Sequence, residues 1–136
     1  MLVVDSSFLV AVLFEEEHTV FAVDRLNQGM GEGLAAPALL RWEVANVLRN
    51  KVMRKLTTAE EAVARLDALA ALSIRYPERE ASPEDLLLLS LDTGLTAYDA
   101  AYFELARRLH APLATLDVAM ARAARAAGLM VQAPFA

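Results

Sequence analysis

Residues 1–14, MLVVDSSFLVAVLF, hold the pattern that decides the fold: an apolar run from Leu2 to Val4 halts at Asp5-Ser6-Ser7, and apolar residues resume from Phe8 to Phe14. A short apolar run bounded by turn-forming residues reads as a buried strand, and the longer run after it as a helix. Asp5 then falls at the C-terminal end of a strand, where a helix begins. The same order of events returns near the other end of the chain. Pro112 to Leu116 reads as a strand, Asp117 follows it, and the alanine-rich stretch to Ala127 reads as a small helix stopped by Gly128. Two acids thus stand where a strand hands over to a helix, the place at which ligands gather in open parallel sheets. Each is also a natural N-cap, and taken singly the two readings weigh equally.

Between these two units the chain keeps alternating. A helix is expected from about Glu16 to Asn27, broken by Gly29, Gly31 and Gly33 before a strand at Leu34 to Ala36. Those glycines precede a strand instead of joining a strand to a helix, so they make a turn and not a phosphate-binding loop. Pro37 suits a first helical turn, and Ala38 to about Lys55 reads as a long helix. Thr57-Thr58-Ala59-Glu60-Glu61 caps a further helix that runs to about Leu72, which makes a helical hairpin. Ser73 to Tyr76 is the expected third strand. Ser82-Pro83-Glu84-Asp85 opens a helix whose Leu86 to Leu91 reads as largely buried, Thr96 opens another reaching about Leu109, and Leu129 to Gln132 is a fifth short strand. Alternating strands and helices predict an α/β fold in one domain, residues 1–136, with a parallel sheet covered on both faces.

Composition narrows the function classes. At 136 residues and 57% hydrophobic composition the chain can build a substantial core. It has no cysteine, which excludes disulfides, thiolate zinc sites and cysteine nucleophiles and leaves no sign of an oxidising compartment; a cytoplasmic location is expected. The apolar N-terminal stretch has no early basic residue and contains Asp5, unlike a secretory signal. A membrane-spanning helix needs roughly 20 apolar residues, and no run here approaches that, so no membrane association is expected. A net charge of −5 excludes a generally basic nucleic-acid binder, although carboxylates neutralised by bound cations can still draw phosphate locally.

Two further acids stand out. Glu43 lies on the same side of its helix as Leu39 and Val47, so it needs a partner, either a functional one or an Arg or Lys at the helix edge. Asn46 and Asn50 extend a polar strip along that side. Asp99 sits three residues after Thr96, the spacing of a capping box, and on spacing alone reads as structural. His18 and His110 lie at element ends without a second histidine at ligand spacing and read as surface residues. Arg49, Lys51, Arg54 and Lys55 do not share one helical face and read as a solvated helix end.

The set carries more than its members. Val4-Asp5-Ser6-Ser7, Trp42-Glu43-Val44-Ala45-Asn46-Val47-Leu48, Thr96-Ala97-Tyr98-Asp99-Ala100-Ala101-Tyr102 and Ala114-Thr115-Leu116-Asp117, in this order and spacing, resemble the PIN-domain family and in particular its VapC-type toxin ribonucleases. The resemblance spans essentially the whole chain. It implies a five-stranded parallel sheet in the order 3-2-1-4-5, an acidic quartet of Asp5, Glu43, Asp99 and Asp117, and hydroxyl-bearing positions at Ser6, Ser7 and Thr115. It further implies hydrolysis of RNA with Mg²⁺ or Mn²⁺, a cognate antitoxin and a homodimer, with the helical hairpin as the expected contact region. Hard cations take oxygen ligands, so Asp5, Asp99 and Asp117 are the expected metal ligands. Glu43 is expected to bind a second ion or orient a water, and Thr115 or Ser6 to steady a carboxylate or phosphate. The compact size favours a toxin over an RNA-processing nuclease with appended domains. A phosphoacceptor signalling domain would need a lysine near the last strand, which is absent, and a catalytically silent binding module is the remaining alternative.

Overall fold

Strand β1 (Leu2–Val4) is buried throughout and is the axis on which the rest is laid. In the computed structural model, which describes residues 1–136, it pairs in parallel with β2 (Leu34–Ala35) on one side and β3 (Leu113–Ala114) on the other. β4 (Val131–Gln132) adds in parallel to β3, giving the order β2-β1-β3-β4. The helices are α1 (Ser6–Leu13), α2 (Thr19–Met30), α3 (Leu39–Met53), α4 (Ala59–Ala70), α5 (Pro83–Thr93), α6 (Ala97–Leu109) and α7 (Val118–Ala126). The α/β class and the alternation are as expected.

The sheet has four strands, not five. The expected third strand, Ser73 to Tyr76, lies at the expected edge but shrinks to one parallel bridge between Arg75 and Ala35. There the Arg75 N–H donates to the Leu34 carbonyl at 2.9 Å, and the Ala36 N–H donates to the Arg75 carbonyl at 3.1 Å. Ser73 enters with φ +55°, outside strand geometry, and Pro77 has no N–H with which to continue the ladder.

Two other expectations change for packing reasons. Gly29 does not break α2 but lies inside it: a Cβ there would come within 2.8 Å of a Leu2 side-chain carbon, so the missing side chain lets the helix press onto β1. The turn belongs to Gly33, at φ +96°. Helix α5 is not largely buried. It rests on α6 at the margin of the molecule, so Leu89 is covered while Leu87, Leu88 and Leu91 face solvent.

The core is built from Phe8 and Leu9 of α1, Leu40 and Leu48 of α3, and Tyr102 and Phe103 of α6, all packed around β1 and β3. Full burial of side chains of this size contributes about 1.5–3 kcal/mol each. Helix α6 is held at both ends: the Thr96 hydroxyl accepts from the Asp99 N–H at 3.1 Å, and His110 takes a left-handed conformation at φ +52° to end it.

Candidate active site

Asp5 follows β1 directly and is 4% exposed. One carboxylate oxygen accepts the Phe8 N–H at 2.9 Å, the N-cap bond of α1, and the Ser7 hydroxyl at 2.6 Å. The other accepts the hydroxyl of the fully buried Thr115. Each hydroxyl has one proton and gives it to Asp5, then accepts a backbone N–H on its far side: Ser7 from Leu116 at 2.9 Å, Thr115 from Asp117 at 3.0 Å. The turn after β1 and the turn after β3 are thus clamped together through one carboxylate. Burial is the main force on its pKa and lifts it to about 6, with the three donors pulling down and the nearby charge of Asp117 pushing up.

Ser7, not Ser6, holds Asp5. Asp5 is the N-cap, and the second residue of the helix turns its side chain back toward the cap, while Ser6 faces an adjacent hollow. Asp117 is likewise the N-cap of α7, accepting the Met120 N–H at 3.0 Å. Both strand-end acids therefore fill the capping role.

Asp99 and Glu43 come from α6 and α3. The carboxylate of Asp99 forms no reciprocal bond to the backbone of Thr96, so the expected capping box is only half made. Burial raises its pKa, and the charge of Asp117 raises it further, against a smaller downward pull from the Thr96 hydroxyl. Glu43 has no Arg or Lys partner. It accepts a hydrogen bond from the Tyr102 hydroxyl, and its pKa is also raised, by burial first and then by Asp99, with the Tyr102 bond pulling down. Tyr102 itself is driven far above the usual phenol range by burial and by Glu43, Asp5 and Asp99, so it remains a proton donor.

Asp117 acts on both Asp5 and Asp99, and Asp99 acts on Glu43, so the four expected acids share one electrostatic neighbourhood. None of them has a Lys, Arg or His within 4.0 Å; the four ion pairs of the molecule lie elsewhere. Asn46 and Asn50 are exposed and bond to none of the acids, Arg49, Arg54 and Lys55 are exposed, and Lys51 is paired with Glu16 at 3.1 Å. His110 is exposed at the far end of α6, and His18 borders the hollow beside Ser6. Sequence reading missed Tyr102 as a site residue. Its signal was a buried tyrosine one helical turn after Asp99, whose hydroxyl must find a partner.

The donor set is all oxygen, carboxylate and hydroxyl, which suits a hard divalent cation. No three acidic or histidine side chains converge tightly enough to cage an ion as they stand. Mg²⁺ keeps several waters and takes only one or two carboxylates directly, so it would not require such a cage.

Comparison with known proteins follows the same line. The PIN domain family model matches residues 2–126. Ribonuclease VapC3 of Pyrobaculum aerophilum is 36% identical over 121 residues, covering 85% of this chain and 88% of that protein. Ribonuclease VapC1 of Mycobacterium tuberculosis is 41% identical over 89 residues, 65% of each chain. The crystal structure of PAE2754 from Pyrobaculum aerophilum superposes with a TM-score of 0.68 at 20% identity, covering 96% of this chain and 87% of that one, a likeness of fold. With the matched family model spanning both strand-end acids and the two helices that carry the others, the chain belongs to the PIN-domain family, among its VapC-type members.

Proposed function

We propose that this chain is a metal-dependent endoribonuclease that hydrolyses RNA phosphodiester bonds and serves as the toxin of a toxin–antitoxin pair. One observation carries the reading: Asp5 and Asp117 at the ends of parallel strands stand in one electrostatic neighbourhood with Asp99 and Glu43 from α6 and α3, burial and a neighbouring acid raise the pKa of Asp5, Glu43 and Asp99, and no protein cation lies beside any of the four. Such an arrangement is unfavourable for the protein alone and becomes favourable with positive charge supplied from outside. The ribonuclease names of the two relatives support the substrate class.

Asp5, Asp99 and Asp117 would hold Mg²⁺ or Mn²⁺, directly or through water, and Glu43 would serve a second ion or orient a water. The cation supplies charge against the phosphodiester and lowers the pKa of the attacking water. The chain's own residues prepare for this. Ser7 and Thr115 fix the Asp5 carboxylate from both sides, and the Tyr102 bond turns Glu43 so that its other oxygen can take a proton from water. A carboxylate held above the usual range is also a stronger base.

A cytoplasmic location is our proposal, in keeping with a chain that contains no cysteine; no helix is long and apolar enough to cross a membrane. We further assign a homodimer. Trp42 and Met53 on α3, with Leu56 and Val63 beyond it, leave apolar surface exposed on the helical hairpin, which supports contact there. The antitoxin would present a basic side chain, arginine by preference, to the uncompensated acids and exclude phosphate. Incubation of the purified chain with RNA in Mg²⁺ or Mn²⁺ tests the activity. Cleavage abolished by EDTA is expected, and intact RNA under every metal condition would leave a catalytically silent binding module.

A further inference from the structure

Next to the acids lies a hollow of about 400 Å³ that shares a wall with the site but includes none of the four carboxylates. Its floor is apolar, formed by Val10 of α1, Val47 of α3 and Leu116, and Ser6 and Ser7 border it on the side of Asp5. The opposite rim is the loop between α1 and α2, where Glu16, Glu17 and His18 stand. We propose that this hollow receives one unpaired nucleobase of the RNA strand beside the scissile phosphate, and that guanine fits it best. The proposal rests on the nuclease reading and deepens it by naming a substrate preference.

Three features of the hollow point to a base. It is continuous with the site: Ser7 lines the hollow while bonded to Asp5, and Leu116, which also lines it, precedes Asp117. A strand whose phosphate lies at the acids therefore runs past the opening. Its size falls in the range of small-molecule sites, roughly 300–1,000 Å³, and its make-up, an apolar floor with a few polar groups at the edge, is theirs too. The half-buried ring of His18 is of the kind on which single-stranded bases stack.

Charge decides what enters. No lysine or arginine lines the hollow, while two glutamates do, so it disfavours a second phosphate. Glu16 is committed to Lys51 at 3.1 Å, and its N–H donates to the Thr19 hydroxyl at 2.7 Å, which anchors the loop. Glu17 is exposed and has neither an ion pair nor a side-chain hydrogen bond, so its carboxylate is free to accept. A carboxylate only accepts. Guanine presents two adjacent N–H donors on its Watson–Crick edge and can meet both carboxylate oxygens, whereas uracil presents one donor between two carbonyls that repel it. A good bidentate contact to a base edge gives about tenfold discrimination or more.

The test maps cleavage sites on a mixed-sequence RNA in Mn²⁺ for the wild type, for Glu17→Gln and for Val47→Phe, which fills the hollow from α3. In parallel, the metal-free wild type is titrated with GMP, AMP, CMP and UMP while the methyl resonances of Val10, Val47 and Leu116 are followed by NMR. Wild-type cleavage concentrated beside guanine, with a preference that falls about tenfold in Glu17→Gln and disappears in Val47→Phe while cleavage itself persists, is the expected result. Identical site maps in all three proteins would overturn the proposal and leave the nuclease reading intact. If no RNA is cleaved, the nuclease reading fails and the titration decides: selective, saturable shifts of the three methyl groups by GMP support a base site, and their absence overturns that as well.

Discussion

The hydroxyl of Tyr102 on α6 donates to the carboxylate of Glu43 on α3, joining two residues 59 positions apart across the mouth of the acid site. Neither residue has another side-chain partner, and the bond draws α3 and α6 together at the level where Asp99 stands. Replacing Tyr102 with Phe keeps the ring in the core and removes only the donor. Stability is expected to fall by about 1.5–3 kcal/mol in urea unfolding, the usual loss for a hydrogen bond to a charged group. Because this bond lowers the pKa of Glu43, the acid limb of the cleavage profile should move to higher pH in Tyr102→Phe. An unshifted profile would show that Glu43 acts independently of Tyr102.

The neighbouring serines offer a matched comparison. Ser7→Ala removes a donor to Asp5 and the acceptor of the Leu116 N–H together, so a loss of about 1–3 kcal/mol is expected, with RNA cleavage reduced about tenfold or more. Ser6→Ala touches neither bond and should stay within about 0.5 kcal/mol of wild type. Thermal melts and initial rates on the two proteins check this, and equal effects would remove the distinction between them.

The metal-free protein should become more stable on mild acidification. The folded-state pKa of Asp5, about 6, lies above its ordinary value of 3.8, so between the two the folded chain binds more protons than the unfolded chain. The stabilising contribution is complete below 3.8 and is lost as pH rises through about 6. For a group this buried the effect is on the order of 3 kcal/mol. Glu43 and Asp99, also raised, act in the same direction. Melting in EDTA should therefore show a higher Tm at pH 5 than at pH 8, and saturating Mn²⁺ should shrink or reverse the difference. A Tm that rises with pH in EDTA would contradict the electrostatic account.

Sedimentation equilibrium at micromolar concentration should give a dimer. Charged replacements at the exposed Met53 and Leu56 are expected to yield a folded monomer if the hairpin is the contact. A monomeric wild type would remove the dimer, and a dimeric double variant would move the interface elsewhere.

What was legible in the sequence is what local pattern encodes. Asp5 and Asp117 could be placed because strand, turn and helix lie within a dozen residues of each acid, and their capping bonds to Phe8 and Met120 are local as well. The choice of Ser7 over Ser6 depends on how a cap turns its first helical residues, which composition does not show. The Glu43–Tyr102 bond depends on the packing of two helices far apart in the chain, which no local pattern records. Gly29 looks like a breaker in one dimension and is a contact in three. The leucines of α5 resemble buried ones, but burial requires a neighbour on each side, and α5 packs chiefly on α6. Pro77 was visible beside the third strand, yet its missing N–H matters only once the edge pairing is known.

The central claim is that Asp99 belongs to a cation-binding quartet and is not merely a helix-start residue. Asp99→Asn separates the two directly, measured as RNA cleavage together with Tm in EDTA and in saturating Mg²⁺ or Mn²⁺. In the quartet the amide relieves repulsion with Asp117 and Glu43 while removing a ligand, so the variant should be folded and inactive. Its Tm in EDTA should equal or exceed that of wild type, and its stabilisation by metal should shrink, because ligand-linked stability follows affinity. As a simple helix-start acid, its replacement would instead lower stability by about 0.3–1 kcal/mol and leave cleavage intact. An Asp99→Asn protein that cleaves RNA at near wild-type rate with an unchanged metal-dependent rise in Tm would contradict the quartet and the mechanism built on it.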